Sequence, residues 1–153
     1  MKSIHTEEYM AGALYYVTSD EITAVLPELR ENGFVGEIDF ACMHSDDDYL
    51  NTIAKVFRFP KFKGQTGYSW DSYFDWMTDL SWGYDAEWTE LTRNGYSLVI
   101  YNCDINGYTH RYNDLLKKII DSFVYKILPW WTKDIESCVV DGKPKDFNVY
   151  LVI

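Results

Sequence analysis

Asp71, Asp75 and Asp79 fall at four-residue intervals inside GYSWDSYFDWMTDLSW (67–82), among tryptophan, tyrosine and phenylalanine. On a helix this spacing lines the carboxylates up on one side, together with Thr78 and Trp82. Trp70, Tyr73, Trp76, Met77 and Leu80 are then free to pack, while Phe74 stands beside the acids. No lysine or arginine lies between Lys63 and Arg93 to neutralise them. Like charges one turn apart repel by about 0.2–0.5 kcal/mol. Only Asp71 is near enough to a helix N-terminus to be offset by its dipole. One chemistry open to such a pattern is paired-carboxylate hydrolysis of a glycoside, one acid donating and the other attacking or activating water. That reaction needs two unlike environments across a cleft, whereas one-turn spacing on one helix gives two similar ones. The other chemistry is recognition, because exposed rings beside charges of one sign make up a binding surface for a basic partner.

The rest of the chain offers catalysis little. His5, His44 and His110 are far apart, and none sits in a nucleophile motif. Gly64 and Gly67 are not followed by the Lys-Ser/Thr of a phosphate loop. The acids of HSDDD (44–48) lack the spacing and glycine of a calcium loop and suit a helix start instead. No catalytic residue, metal site or cofactor is expected.

A net charge of -10 disfavours nucleic acid and anionic membranes as direct partners and favours a cationic one. The 153 residues are enough for one domain with a substantial core. Cys42, Cys103 and Cys138 are odd in number, without CxxC spacing. Cys42 and Cys103 lie in apolar runs, so reduced, buried thiols are expected, as in the cytoplasm. The first residues lack a signal-peptide core, and no run reaches membrane-spanning length.

The elements that must position the acids follow from periodicity. Residues 13–18, 35–43, 96–103 and 147–153 are apolar at nearly every position, as in strands buried on both faces. Helices are predicted from about residue 20, capped by Ser19 or Asp20 and kinked or cut short by Pro27. Others are predicted over SDDDYLNTIAKVFRF up to Pro60, from a Ser69 cap over about 70–80, and over about 109–127 after the DINGYT loop. Residues 129–146 read as a long connection with a short hairpin. Alternating strands and helices predict an α/β fold, a single layer of mostly parallel sheet with three to four strands packed by helices. One domain spans 1–153, with a strand-helix extension (1–33) before a core (34–153).

The block FRFPKFKGQTGYSWDSYFDWMTDLSW (57–82) resembles the signature of barstar-type ribonuclease inhibitors. Phe59-Pro60 match its Phe/Leu-Pro pair, Phe62 its aromatic and Gly64 its glycine. Trp70-Asp71 match its Trp-Asp, Asp75 its second aspartate, and Asp79-Leu80 with Trp82 its end. The resemblance implies a barstar-like core and an inhibitor that plugs a basic nuclease active site, often as the immunity partner of a toxin, as a monomer in a one-to-one complex. It implies that Asp71 and Asp75 face the partner's phosphate-binding cations, with Asp75 as anchor. Phe62 and Gly64 would form the loop edge; Trp70, Phe74, Thr78, Asp79 and Trp82 would complete the contact. The chain departs from the pattern in Ser69 for the usual Asn, in a longer GQTGYS loop, in Lys61 and Lys63 around Phe62, and in a long 129–146 connection.

Overall fold

The computed structural model describes residues 2–3, 12–104, 110–140 and 142–153. His5 and most of the DINGYT loop lie outside them.

Five strands form one sheet in the order β1-β2-β5-β4-β3. They are β1 (Lys2–Ser3), β2 (Gly12–Val17), β3 (Phe34–Asp39), β4 (Tyr96–Tyr101) and β5 (Phe147–Val152). The two-residue β1 is antiparallel to β2; the other four strands run parallel, with Phe34 opposite Tyr96 and both Tyr96 and Gly12 opposite Phe147. The central strands β4 and β5 are buried at nearly every position, which explains their unbroken apolar runs.

Helix α1 (Ser19–Asn32) packs on one face of the sheet, where Val17, Ile22, Val99, Tyr150 and Val152 form a separate small core. Its cap is Thr18, one residue before the predicted Ser19, in a reciprocal box with Glu21. Pro27 does not shorten it. The ring lies on the exposed side, where water can serve the carbonyl left without an amide.

The main core lies on the opposite face, beneath α2 (Asp46–Val56), α3 (Trp70–Met77), α4 (Ala86–Leu91) and α5 (His110–Ser122). Ser45 caps α2, three aspartates fill its first turn, and Tyr49, Leu50, Ile53 and Ala54 are its buried stripe. Helix α2 stops before Pro60 is reached. Arg58 takes a left-handed backbone (φ 58°), and the Phe59 amide donates back to the Ala54 carbonyl at 2.8 Å. Gly95 makes the turn into β4 at φ 114°, with the Asp146 carbonyl 2.5 Å from where a Cβ would stand.

Three expectations need correction. Strand β3 ends at Asp39, and a 3₁₀ turn over Phe40–Cys42 sends Phe40 inward and Cys42 outward. Only Cys103 is therefore buried among the three thiols, and burial pushes its pKa up to about 12. Among the described residues of 129–146 there is no hairpin. The backbone stays helical through wide π turns at Phe123–Ile127 and Trp130–Asp134 into α6 (Ile135–Cys138). Pro129 falls between the two wide turns, where the regular ladder is already interrupted, and Phe123, Ile127, Trp131 and Ile135 continue the buried stripe. Helix α4 was not predicted at all; Asp85 caps it by accepting from the Trp88 amide at 3.0 Å. No helix among the described residues is long and apolar enough to cross a membrane.

Candidate partner-binding site

Helix α3 begins with a reciprocal cap. The Ser72 amide donates to Ser69 Oγ at 3.1 Å, and the Ser69 amide donates to Ser72 Oγ at 2.9 Å. Its inner face is Tyr73 and Met77, both fully buried. The Tyr73 hydroxyl lies 2.8 Å from both the Tyr49 hydroxyl and Ser122 Oγ, and Ser122 donates on to the Ile119 carbonyl. This hydroxyl chain joins α2, α3 and α5, and burial pushes the Tyr49 and Tyr73 pKa values upward. Trp70 stacks on Tyr49 at 5.8 Å and donates its indole N–H to Asp46 Oδ2 at 3.0 Å. Lys118 donates to the same oxygen at 2.8 Å. The Lys118 and Trp70 hydrogen bonds hold the Asp46 carboxyl below the usual range.

Helix α3 ends at Met77, short of the predicted residue 80. Thr78 donates its hydroxyl to the Phe74 carbonyl at 2.7 Å, and Leu80 turns the chain at φ 51°. The next carbonyls are taken by indoles from distant segments. Trp131 donates to the Met77 carbonyl at 2.9 Å and Trp88 to the Leu80 carbonyl at 2.8 Å. The predicted single side is therefore divided. Asp71 and Asp75 remain one turn apart on α3, both exposed, and neither forms an ion pair with a described residue. Asp79 is exposed but lies in the following turn, where Ser81 donates to it through backbone and hydroxyl.

Trp82 departs furthest from expectation. Only 3% exposed, it donates its N–H to the Phe57 carbonyl at 2.8 Å, so its ring seals the end of α2 and offers no surface to a partner. Phe74 and Thr78 are half-buried, as is Trp70. Lys126 sits 4.2 Å from the centre of the Phe74 ring. Between α3 and α5 lies a cleft of about 400 Å³ lined by Asp46, Trp70, Phe74, Lys118 and Lys126. Neither Asp71 nor Asp75 lines it, so the two carboxylates stand on an open helix face.

The loop before α3 carries Phe62, 64% exposed, whose ring is 6.3 Å from that of half-buried Trp76. Gly64 (φ 86°) turns the loop with open space around it. Two residues missing from the sequence-based site hold this loop in shape. Gln65 accepts from the Phe62 amide at 3.1 Å and donates to the Gly67 carbonyl at 2.9 Å, while the Tyr68 hydroxyl donates to the Pro60 carbonyl at 3.1 Å. A polar residue with hydrogen-bonding capacity at both ends, set between two glycines, was the available signal for Gln65. Trp76, expected only to pack, joins Phe62 in an aromatic shelf beside Asp75. No group of three or more His, Cys, Asp or Glu is placed to hold a metal among the described residues.

A single, mostly parallel sheet carrying a braced, acidic, ring-framed helix defines an α/β protein of barstar-like architecture. Residues 34–123, more than half of the chain, match the family model Barstar, described as barstar (barnase inhibitor), and the chain belongs to that family. The match begins at Phe34, the first residue of β3, and includes all of α3 and its preceding loop. Searches of curated proteins and of solved structures give no match.

Proposed function

We propose that this protein inhibits a basic, ribonuclease-type toxin as its immunity partner, covering the nuclease active site with α3 and the 61–69 loop. The observation that carries this reading is the pair of exposed carboxylates, Asp71 and Asp75, without ion-pair partners among the described residues and inside the family-matched segment. A nuclease cleft collects lysine, arginine or histidine to hold phosphates, and two carboxylates at fixed helical spacing substitute for those phosphates. Asp75 is the anchor, being central on α3 and beside the Phe62–Trp76 shelf. The rings exclude water around the ion pairs, which strengthens them and slows dissociation. Phe62 and Gly64 form the loop edge of the contact; Trp70, Phe74, Thr78 and Asp79 flank it. The complex is one-to-one, the protein acts in the cytoplasm without a cofactor, and it performs no catalysis of its own.

Mixing the protein with a barnase-type ribonuclease tests this directly. Inhibition should reach completion near equimolar protein and be lost in the Asp75→Ala variant. Full inhibition by that variant would remove Asp75 as anchor, and a basic non-nuclease protein captured through the same helix would replace the nuclease as target.

A further inference from the structure

A second cleft, of about 440 Å³, opens where β4 begins. It lies between the 78–83 turn, α4, and the wide turn Trp130–Asp134 with α6. Its walls hold four of the chain's six tryptophans, Trp82, Trp88, Trp130 and Trp131, together with Tyr96. Lys143 and Lys145 also line it. The volume is within the range of about 300–1,000 Å³ usual for small-molecule sites, and ring-rich walls with a few polar groups are their usual composition.

Three observations specify the occupant. Trp82, Trp88 and Trp131 each donate the indole N–H to a backbone carbonyl, whereas the N–H of Trp130 is buried with no acceptor among the described residues. A buried donor without an acceptor is costly, so an oxygen brought to it would be stabilising. Lys145 holds its ammonium 5.5 Å from the centre of the Tyr96 ring, donates to the Thr92 carbonyl at 3.2 Å and forms no ion pair among the described residues. Burial pushes its pKa down. Lys143 likewise forms no ion pair among the described residues, although acids outnumber bases 24 to 14 in this chain. Among the described lining residues the one acid is Asp79, which keeps its charge while accepting from Ser81, against the two lysines.

We propose that this cleft binds a small aromatic anion, with its planar ring against half-buried Trp130 and its oxyanion at Lys145 and Lys143. In the proposed complex the Trp130 ring turns so that its N–H, buried in the free protein, reaches the same oxyanion. The site excludes Asp71 and Asp75 and shares only the flanking Thr78 and Asp79 with the proposed nuclease contact, so failure of naphthoate to bind would leave the Asp75-centred proposal untouched.

Calorimetric titration with 2-naphthoate, and with neutral 2-naphthalenemethanol as control, tests it, with the Trp130 indole N–H followed by NMR. One molecule of naphthoate per chain should bind about tenfold or more tighter than the alcohol, the worth of one added ion pair of about 1.4 kcal/mol. The Trp130 N–H resonance should shift on binding. Lys145→Met should abolish the preference for the anion; the exposed Lys143→Ala, which carries no packing role, should reduce it with the fold intact. Trp130→Phe should weaken the acid and spare the alcohol. Equal binding of both probes, no binding of either, or affinity lost in Phe74→Ala and untouched by Lys143→Ala would overturn the proposal.

Discussion

Asp71 and Asp75 make opposite contributions to folding and to the proposed binding. They repel across one turn by about 0.2–0.5 kcal/mol, and Asp75 is too far along α3 to be offset by the helix N-terminus. Asp75→Ala should therefore leave thermal stability unchanged or slightly raised, as read by calorimetry. The same variant should weaken nuclease binding by roughly a hundredfold or more, since a desolvated partner cation would be left unpaired. A loss of stability matching the loss of affinity would instead make Asp75 structural. Trp82 is the converse case. With its ring buried and its N–H on the Phe57 carbonyl, Trp82→Phe should cost about 1–3 kcal/mol in urea unfolding. Affinity measured on the folded variant should not change.

Helix α3 is short, eight residues, and a helix of that length does not persist alone in water. Its neighbours supply what its own sequence lacks. Tyr73 ties it to α2 and α5, Trp131 takes the carbonyl of its last residue, Trp88 fixes the turn after it at the Leu80 carbonyl, and Trp70 ties its first turn to Asp46 on α2. The last link has a pH signature. Because the Asp46 carboxyl titrates below its ordinary value in the folded state, its contribution is fully present above an unfolded pKa of about 3.9. The contribution disappears as pH falls below that value through the depressed folded one. Asp46→Asn should be less stable than the wild type at pH 7 but show a shallower decline below about pH 4. Urea midpoints measured across pH 2.5–7, an interval set roughly around that carboxylate range, would read the difference. Parallel curves for the two proteins would exclude this role for Asp46.

For the whole molecule, the net charge of -10 governs encounter more than fold. A diffuse negative field would attract the proposed cationic nuclease before contact, and salt screens it over about 10 Å at 0.1 M. Stopped-flow association rates should fall by about tenfold or more between low and high salt, while dissociation changes much less. A salt-independent association rate would show that the acids act only after contact. The sheet has its own whole-molecule feature. Strand β2 pairs with β5 over six residues and α1 covers the second face, so residues 12–32 bury Val99 and Tyr150 from the side opposite α3.

The sequence alone determined what depends on local pattern. Apolar runs marked the parallel strands, Ser45 and Ser69 announced their helices, and four-residue spacing placed Asp71 and Asp75 on one exposed face. The residues by themselves marked 61–67 only as a glycine-containing loop; Phe62 and Gly64 were singled out through the resemblance of the 57–82 block to the barstar signature. Tertiary structure decided what depends on remote partners. Helix α3 stops at Met77 with indoles from 8 and 54 residues away on the Leu80 and Met77 carbonyls, and no short-range signal records those contacts. Trp82 and Phe62 look equally suited to recognition as residue types, yet one has a buried carbonyl within reach and the other has water. Pro129 reads as a helix breaker until packing of Phe123, Ile127 and Trp131 holds the backbone in wide turns around it. A sequence shows which surfaces can be buried; which ones are buried is settled by the rest of the chain competing for the same interior.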